Sequence, residues 1–341
     1  ILTEQEGRSQ HQLFLSLYQQ AQRCGKDVQV LVGHPRTIQN FSLFVAQQRG
    51  AYTPLKDIFP NLTTYCTTVL DIAPYEVSLQ YCFNGQRIYT QALCVDGLIP
   101  AFQYDINVRQ HIELPLEYLF YEFIPEVDLT PEGKINPHAK ALRLEEVIIG
   151  QTYAVIVSFP NGLLRQQTEW IVKIQNKNPL QVKWIRTLSP INGFGEVLPL
   201  AISHKAIQTV NDILHNHGLF IRDYIISCNH KDKRHEWIIE LSRPAINQNK
   251  ESLKLLARRL YTELELAHGA YRTVLRNGRM QPPRIRFIGP GYFSQLGASV
   301  LQGLEGSFYD TNSNNPHGAL NLLETIGIDQ YQEINPLDLR T

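Results

Sequence analysis

The sequence predicts an α/β protein: a large lobe built on a mixed sheet, an antiparallel, barrel-like portion at the end of that lobe, and a small α+β lobe at the C-terminus. Three observations carry this expectation. Up to Val95, short β-branched runs alternate with segments of helical apolar spacing, the pattern of a partly parallel sheet covered on both faces. From Leu116 to Arg186, strand-length runs follow one another with only turns or loops between them, which implies antiparallel pairing. After Ser189-Pro190 the order becomes helix, strand, turn, strand, helix, strand, an α+β sandwich of about 150 residues, large enough for its own core.

In the first region Leu13, Leu17 and Ala21 recur every four residues, predicting a helix over 9–24 that Gly25 ends. A strand over 28–32 and a helix over 37–48 follow, the latter burying Ile38, Phe41, Phe44 and Val45 and stopping at Gly50. A strand over 63–69, a helix over 75–83 behind Pro74, and a strand over 88–95 complete the alternation. The antiparallel strands are placed at 118–124, 147–149, 153–159, 170–175 and 182–186, with a turn at Pro160-Asn161-Gly162 and an exposed loop over 128–140. The last region holds a helix over 199–217, strands over 220–228 and 236–241 around a polar turn, a helix over 251–268 and a strand over 284–288. The second of these helices shows an apolar stripe at Leu253, Leu256, Leu260, Leu264 and Ala267. Ser189-Pro190 is the expected junction, giving lobes 1–189 and 190–341.

Composition narrows the function classes. Of 341 residues, 43% are hydrophobic and 19% charged, and 32 basic residues cancel 32 acidic ones, so no overall field draws the chain to nucleic acid or to a membrane surface. Five scattered cysteines, with no C-x-x-C spacing and no neighbouring histidine cluster, indicate neither a disulfide framework nor a zinc knuckle and fit a reducing cytoplasm. Apolar runs are strand-sized, and Ile1-Leu2-Thr3 shows no export segment. The sequence begins without Met, so an N-terminal portion beyond it is expected, or processing of its start.

Four segments carry the functional signal: Phe120-Tyr121-Glu122-Phe123-Ile124-Pro125, then Gly162 to Val172 with Arg165 and Trp170, then Arg186, then Asn192-Gly193-Phe194-Gly195-Glu196. Their order and spacing resemble the Gretchen Hagen family of auxin-responsive acyl-acid amido synthetases, which are adenylate-forming enzymes, over residues 28–317. The resemblance implies a firefly-luciferase-like fold, ATP and Mg as cofactors, and an organic acid or acyl group and an amino acid or amine as partners. A protein partner or carrier protein stays open.

The family's site residues carry over unevenly. Asp96 and Gly97 match the end of its adenine-binding segment, where Asp96 is either a metal- or substrate-side carboxylate or simply a turn residue. Arg165 matches the first arginine of the hairpin motif. Trp170 stands where the family places an aspartate that accepts hydrogen bonds from the ribose hydroxyls, and an indole offers only a donor. Neighbouring Glu169 replaces it only through a bulge or register slip, because adjacent strand residues point to opposite faces. Arg186 matches the arginine that closes the large lobe. Glu196 ends the intact N-x-F-G-E motif, either capping the next helix or facing the active site. Phe102, Tyr121 and Phe123 are the expected substrate contacts.

Several family features have no match: a Ser/Thr/Gly-rich phosphate loop, the adenine-stacking ring and the terminal lysine. All of them serve one ligand. The resemblance therefore implies either acyl-to-amine ligation with an altered or incomplete ATP site, or a non-catalytic binding or assembly subunit.

Remaining clusters have plainer readings. Lys254, Arg258, Arg259, Arg272, Arg276, Arg279, Arg284 and Arg286 read as a solvated basic face, since aromatic residues are sparse among them. His235 opens a strand and reads as structural. Cys94 is a nucleophile only if a base lies beside it.

Overall fold

The computed structural model describes residues 10–69, 71–86, 89–95, 98–103, 111–130, 134–188, 190–214, 219–293, 332–334 and 336. Helix α1 (Gln10–Cys24) packs Phe14 and Tyr18 against Phe41 and Phe44 of α2 (Pro35–Arg49). Helix α2 starts where the His34 side chain accepts from the Arg36 N–H and Pro35 sets the first turn, and it ends at Gly50 in the left-handed region, φ 69°. Strands β1 (Val30–Gly33), β2 (Thr64–Thr67) and β3 (Tyr89–Val95) pair in parallel, with short helices α3 (Leu55–Ile58) and α4 (Glu76–Cys82) in the connections.

The antiparallel portion does not separate from this sheet. Strands β4 (Leu98–Phe102) and β5 (His111–Glu113), in a stretch where the sequence placed no strand, continue the ladder to β9 (Leu180–Thr187), β8 (Gln166–Lys177), β7 (Thr152–Ser158) and β6 (Phe120–Pro125). The result is one open nine-stranded sheet, ordered β1-β2-β3-β4-β5-β9-β8-β7-β6, with no closed barrel among the described residues. The expected strand over 147–149 is also absent. That stretch runs into a turn at Gly150, whose N–H donates to the Ile174 carbonyl.

Beyond β9 the chain enters a second sheet. Helix α5 (Leu200–Leu214) precedes the hairpin β10 (Ile221–Asn229) and β11 (Arg234–Leu241); helices α6 (Lys250–Ala267) and α7 (Gly269–Arg276) follow, then β12 (Gln281–Ile288) and β13 (Gln332–Ile334). The order is β10-β11-β12-β13, with β11 and β12 parallel. Asn249 caps α6 by accepting from the Glu251 N–H, and the predicted stripe of Leu253, Leu256, Leu260 and Leu264 faces Ile207 and Val210 of α5 and Trp237, Ile239 and Phe287 of the sheet. Each such fully buried aliphatic chain contributes about 1.5–3 kcal/mol. No helix among the described residues is long and apolar enough to cross a membrane.

Candidate functional site

Strands β6 to β9 sort the motif residues onto two faces. Tyr121 and Phe123 alternate with Glu122 and Ile124 along β6, and lie opposite Val157 and Val155 of β7. On this face they join Tyr153, Trp170, Val172, Val182 and Trp184 in one apolar cluster. Trp170 is only 3% exposed there. The other face carries Ile124, Ala154, Ile156 and Ile171, and Arg186, which pairs across the ladder with Ile171.

Two irregularities set these positions. The β7–β8 register passes from Ala154↔Ile171 to Ile156↔Gln167, so extra residues of β8 bulge at 168–170. Thr168 holds that bulge, its buried hydroxyl donating to the Val155 carbonyl at 2.7 Å and accepting from the Trp170 N–H at 3.2 Å. The bulge that Glu169 would need is thus present in the backbone, while its side chain lies outside the described residues. On β9, Ile185 is the extra residue between Val172↔Trp184 and Ile171↔Arg186, and it turns Arg186 to the face opposite Trp170.

Arg186 donates to the Glu126 carboxylate at 2.8 Å and to the Thr187 carbonyl at 3.0 Å. Arg165, in the left-handed region at φ 52°, bonds Glu122 at 3.0 Å with most of its side chain in solvent. The structure therefore brings Tyr121, Phe123 and Trp170 together as core, separates them from both arginines, and leaves Phe102 41% exposed on β4. Asp96, Gly97 and the side chain of Cys94 lie outside the described residues.

Glu196 organises the segment joining the two sheets. Its carboxylate accepts from Gly193 N–H at 2.8 Å, Phe194 N–H at 2.7 Å and His235 Nε2 at 2.8 Å, so it ties its own loop to β11 instead of capping α5. Asn192 completes the loop by accepting from the N–H groups of Gly195 (φ 93°) and Val197 (φ 43°). Burial alone would raise the Glu196 carboxyl, but the His235 and backbone hydrogen bonds hold it below the usual glutamate range. Burial likewise would lower His235, yet Cys228 and Glu196 beside it push it up to about 10.

A buried polar seam joins the sheets. Arg36 of α2 pairs with Asp223 of β10, Tyr75 donates to the same carboxylate at 3.5 Å, Arg222 reaches Asn40 at 3.4 Å and Glu240 at 3.1 Å, and His204 of α5 meets Asp71 at 2.9 Å. The Arg36 guanidinium also lies 5.8 Å from the Phe293 ring centroid. Burial and the nearby Arg36 cation lower His34 to about 3, leaving it neutral and able to accept at the head of α2. Burial raises Glu240, against the Arg222 cation that lowers it.

An open mixed sheet followed by a small mixed sheet on its own helices is the fold of adenylate-forming enzymes. Solved structures agree: the chain superposes on an acyl acid amido synthetase, AtGH3.15 in complex with 2,4-DB, with a TM-score of 0.67 and 13% identity, covering 97% of this chain and 66% of that one. A second GH3.15 acyl acid amido synthetase gives 0.62 and 15%, covering 88% and 53%. A 2-hydroxyisobutyryl-CoA ligase in the postadenylation state with R3-HIB-AMP gives 0.56 and 8%, covering 90% and 61%. At these identities the likeness shows the fold, and the chain spans just under two thirds of the first structure's length and about half of the second's. Family models make the finer assignment. The GH3 family central domain matches residues 114–186 and the GH3 family C-terminal domain residues 203–310, together more than half of the sequence. The chain belongs to the GH3 family. No curated protein sequence matches it.

Sequence reasoning missed two arrangements. Arg284 and Arg286, expected on a solvated basic face, turn inward to Glu236 and Glu333, while Lys254 and Arg259 are offset by Glu251 and Glu263. Cys228 and His235, far from any metal-ligand spacing, are direct cross-strand partners. A legible signal existed: residues equally distant from the polar turn 229–234 face each other in a hairpin.

Proposed function

We propose that this chain serves acyl-acid amido synthetase chemistry, binding an organic acid or acyl group and joining it to an amine or amino acid, with an altered nucleotide site. The observation that carries the reading is the pair of GH3 family matches, central then C-terminal, on a chain whose fold follows an acyl acid amido synthetase along 97% of its length. The expected boundary at Ser189-Pro190 falls between the two matched regions. The auxin-responsive, cytoplasmic setting of the resemblance goes with this reading.

The described residues do not fit ATP in the way the family motif implies. Trp170 fills apolar core where two sugar hydroxyls would need acceptors, and Arg165 is committed to Glu122. Mg would depend on Asp96, which lies outside the described residues. Arg186 and Glu126 are left as a charge pair at the end of β9, ahead of the junction, and Glu196 as the group that fixes the loop after it.

Trp170 also favours a second reading, a binding or assembly subunit that keeps the scaffold without the chemistry. Incubation with ATP, magnesium and panels of organic acids and amino acids separates the two. Pyrophosphate release with a conjugate detected by mass spectrometry supports ligation. Absence of both across the panels, together with no ATP binding by calorimetry, supports the non-catalytic reading.

A further inference from the structure

Cys228 and His235 stand directly opposite each other near the turn of the β10–β11 hairpin, so their side chains leave the same face of the sheet. A ring nitrogen of His235, the Cys228 sulfur and a Glu196 carboxylate oxygen lie within 4.8 Å of one another. His235 is fully buried and uses Nε2 on Glu196, while its Nδ1 meets no other polar group, the Cys228 thiol beside the ring excepted. The loop above leaves room for sulfur: a Cβ on Gly193 would fall 2.6 Å from Cys228 Sγ and 3.7 Å from Cε1 of His230. The Phe194 ring packs on both His230 and His235, at 5.4 and 6.0 Å between centroids, and Tyr271 closes the far side of His235 at 5.7 Å.

We infer that Cys228 and His235, with Glu196 behind the imidazole, form a binding site for a soft divalent cation of the zinc class. Thiolate and imidazole together select such ions over magnesium or calcium, which require several oxygen ligands. The single carboxylate here already accepts three N–H donors, so its role is to hold the His235 ring through Nε2–H and leave the Nδ1 lone pair for the metal. His230, on the exposed turn, supplies a third ligand by a side-chain rotation, and water completes the shell. Binding releases the thiol proton and any second proton on the imidazole. The site lies in the small lobe and does not depend on how the nucleotide is handled.

The test uses the full chain stripped with chelator and titrated with Co²⁺. One equivalent should bind with a near-ultraviolet thiolate-to-cobalt charge-transfer band, displaced by Zn²⁺. The band should vanish in Cys228→Ser and bind more weakly in His230→Ala. Glu196→Gln should weaken binding about 10–100-fold. A wild-type chain without the band, or a Cys228→Ser chain that retains it, overturns the site. Should Cys228→Ser fail to fold by circular dichroism, zinc protection of wild-type cysteines against iodoacetamide decides. Protection of Cys228 with Cys24 still labelled supports the site; protection of neither overturns it.

Discussion

The two sheets bury themselves by different means. In the β6–β9 part of the large sheet both faces are apolar: Tyr121, Phe123, Trp170 and Trp184 on one side, Ile124, Ala154 and Ile171 on the other. In the small sheet the helix-covered face is apolar, and the reverse intersperses Ile225, Ile238 and Ile288 with Asp223, Glu236, Glu240 and Arg286, all nearly inaccessible. The first arrangement is stabilised mainly by area, and its few charges, Arg186 and Glu122, are paired with Glu126 and Arg165. The second is held by pairs, each of which must be complete, because an ion left alone inside costs more than the pair contributes. The contact between the sheets is drawn from the second kind, through Arg36 with Asp223 and Arg222 with Asn40. It therefore depends on matched partners and not on apolar area alone.

The sharpest way to break this contrast is to exchange the chemistries. Trp170→Asp, which puts back the carboxylate implied by the family motif, should destabilise by about 3–5 kcal/mol as an uncompensated buried charge. A lower urea midpoint with no gain in ATP binding is expected. A folded variant that binds ATP would show that this face of the large sheet is a site and not core.

In the seam, Asp223→Ala should cost a similar ~3–5 kcal/mol by stranding Arg36, whereas Arg36→Met combined with Asp223→Leu should recover most of it. A double-mutant cycle in urea reads the coupling. Additive losses would mean the seam is held by packing.

Gly193→Ala is a smaller perturbation at the junction. Its Cβ would meet Cys228 Sγ at 2.6 Å and Cβ at 2.8 Å, an overpacking of about 1–3 kcal/mol, visible as a drop in Tm.

Stability should also depend on pH through His235, with chelator present. Its folded pKa of about 10 lies above the unfolded value of 6.5, so between them the folded state binds more protons. The contribution is complete below about 6.5 and is lost as pH rises through 10. Urea midpoints that fall over this window in wild type should fall less in His235→Gln. The least effect is expected at Arg165→Ala, whose own side chain is mostly in solvent, so that its pair with Glu122 contributes at most about 1 kcal/mol.

Local chemistry was written plainly in the sequence wherever one segment decides its own state. The Gly50 stop and the Leu253–Leu264 stripe produced helices close to their expected bounds. The ordered motifs from Phe120 to Glu196 carried the family. The strand over 147–149 failed because Val147-Ile148-Ile149 has β-branched composition but no ladder partner. Strands β4 and β5 were illegible because short strands are fixed by neighbours distant in sequence, and without them the large sheet looked like two.

By itself, then, the sequence determined the period of each element, the caps that bound them, the order of the two lobes and the indole at position 170, since these depend on residues a few positions apart. Tertiary structure alone decided that this indole is core, that a bulge at Ile185 turns Arg186 away from it, that Arg36 finds Asp223, and that a hairpin sets Cys228 against His235. Those outcomes rest on register and on contacts between distant segments. A one-residue shift in a strand reverses which face a side chain serves, and no local pattern encodes it.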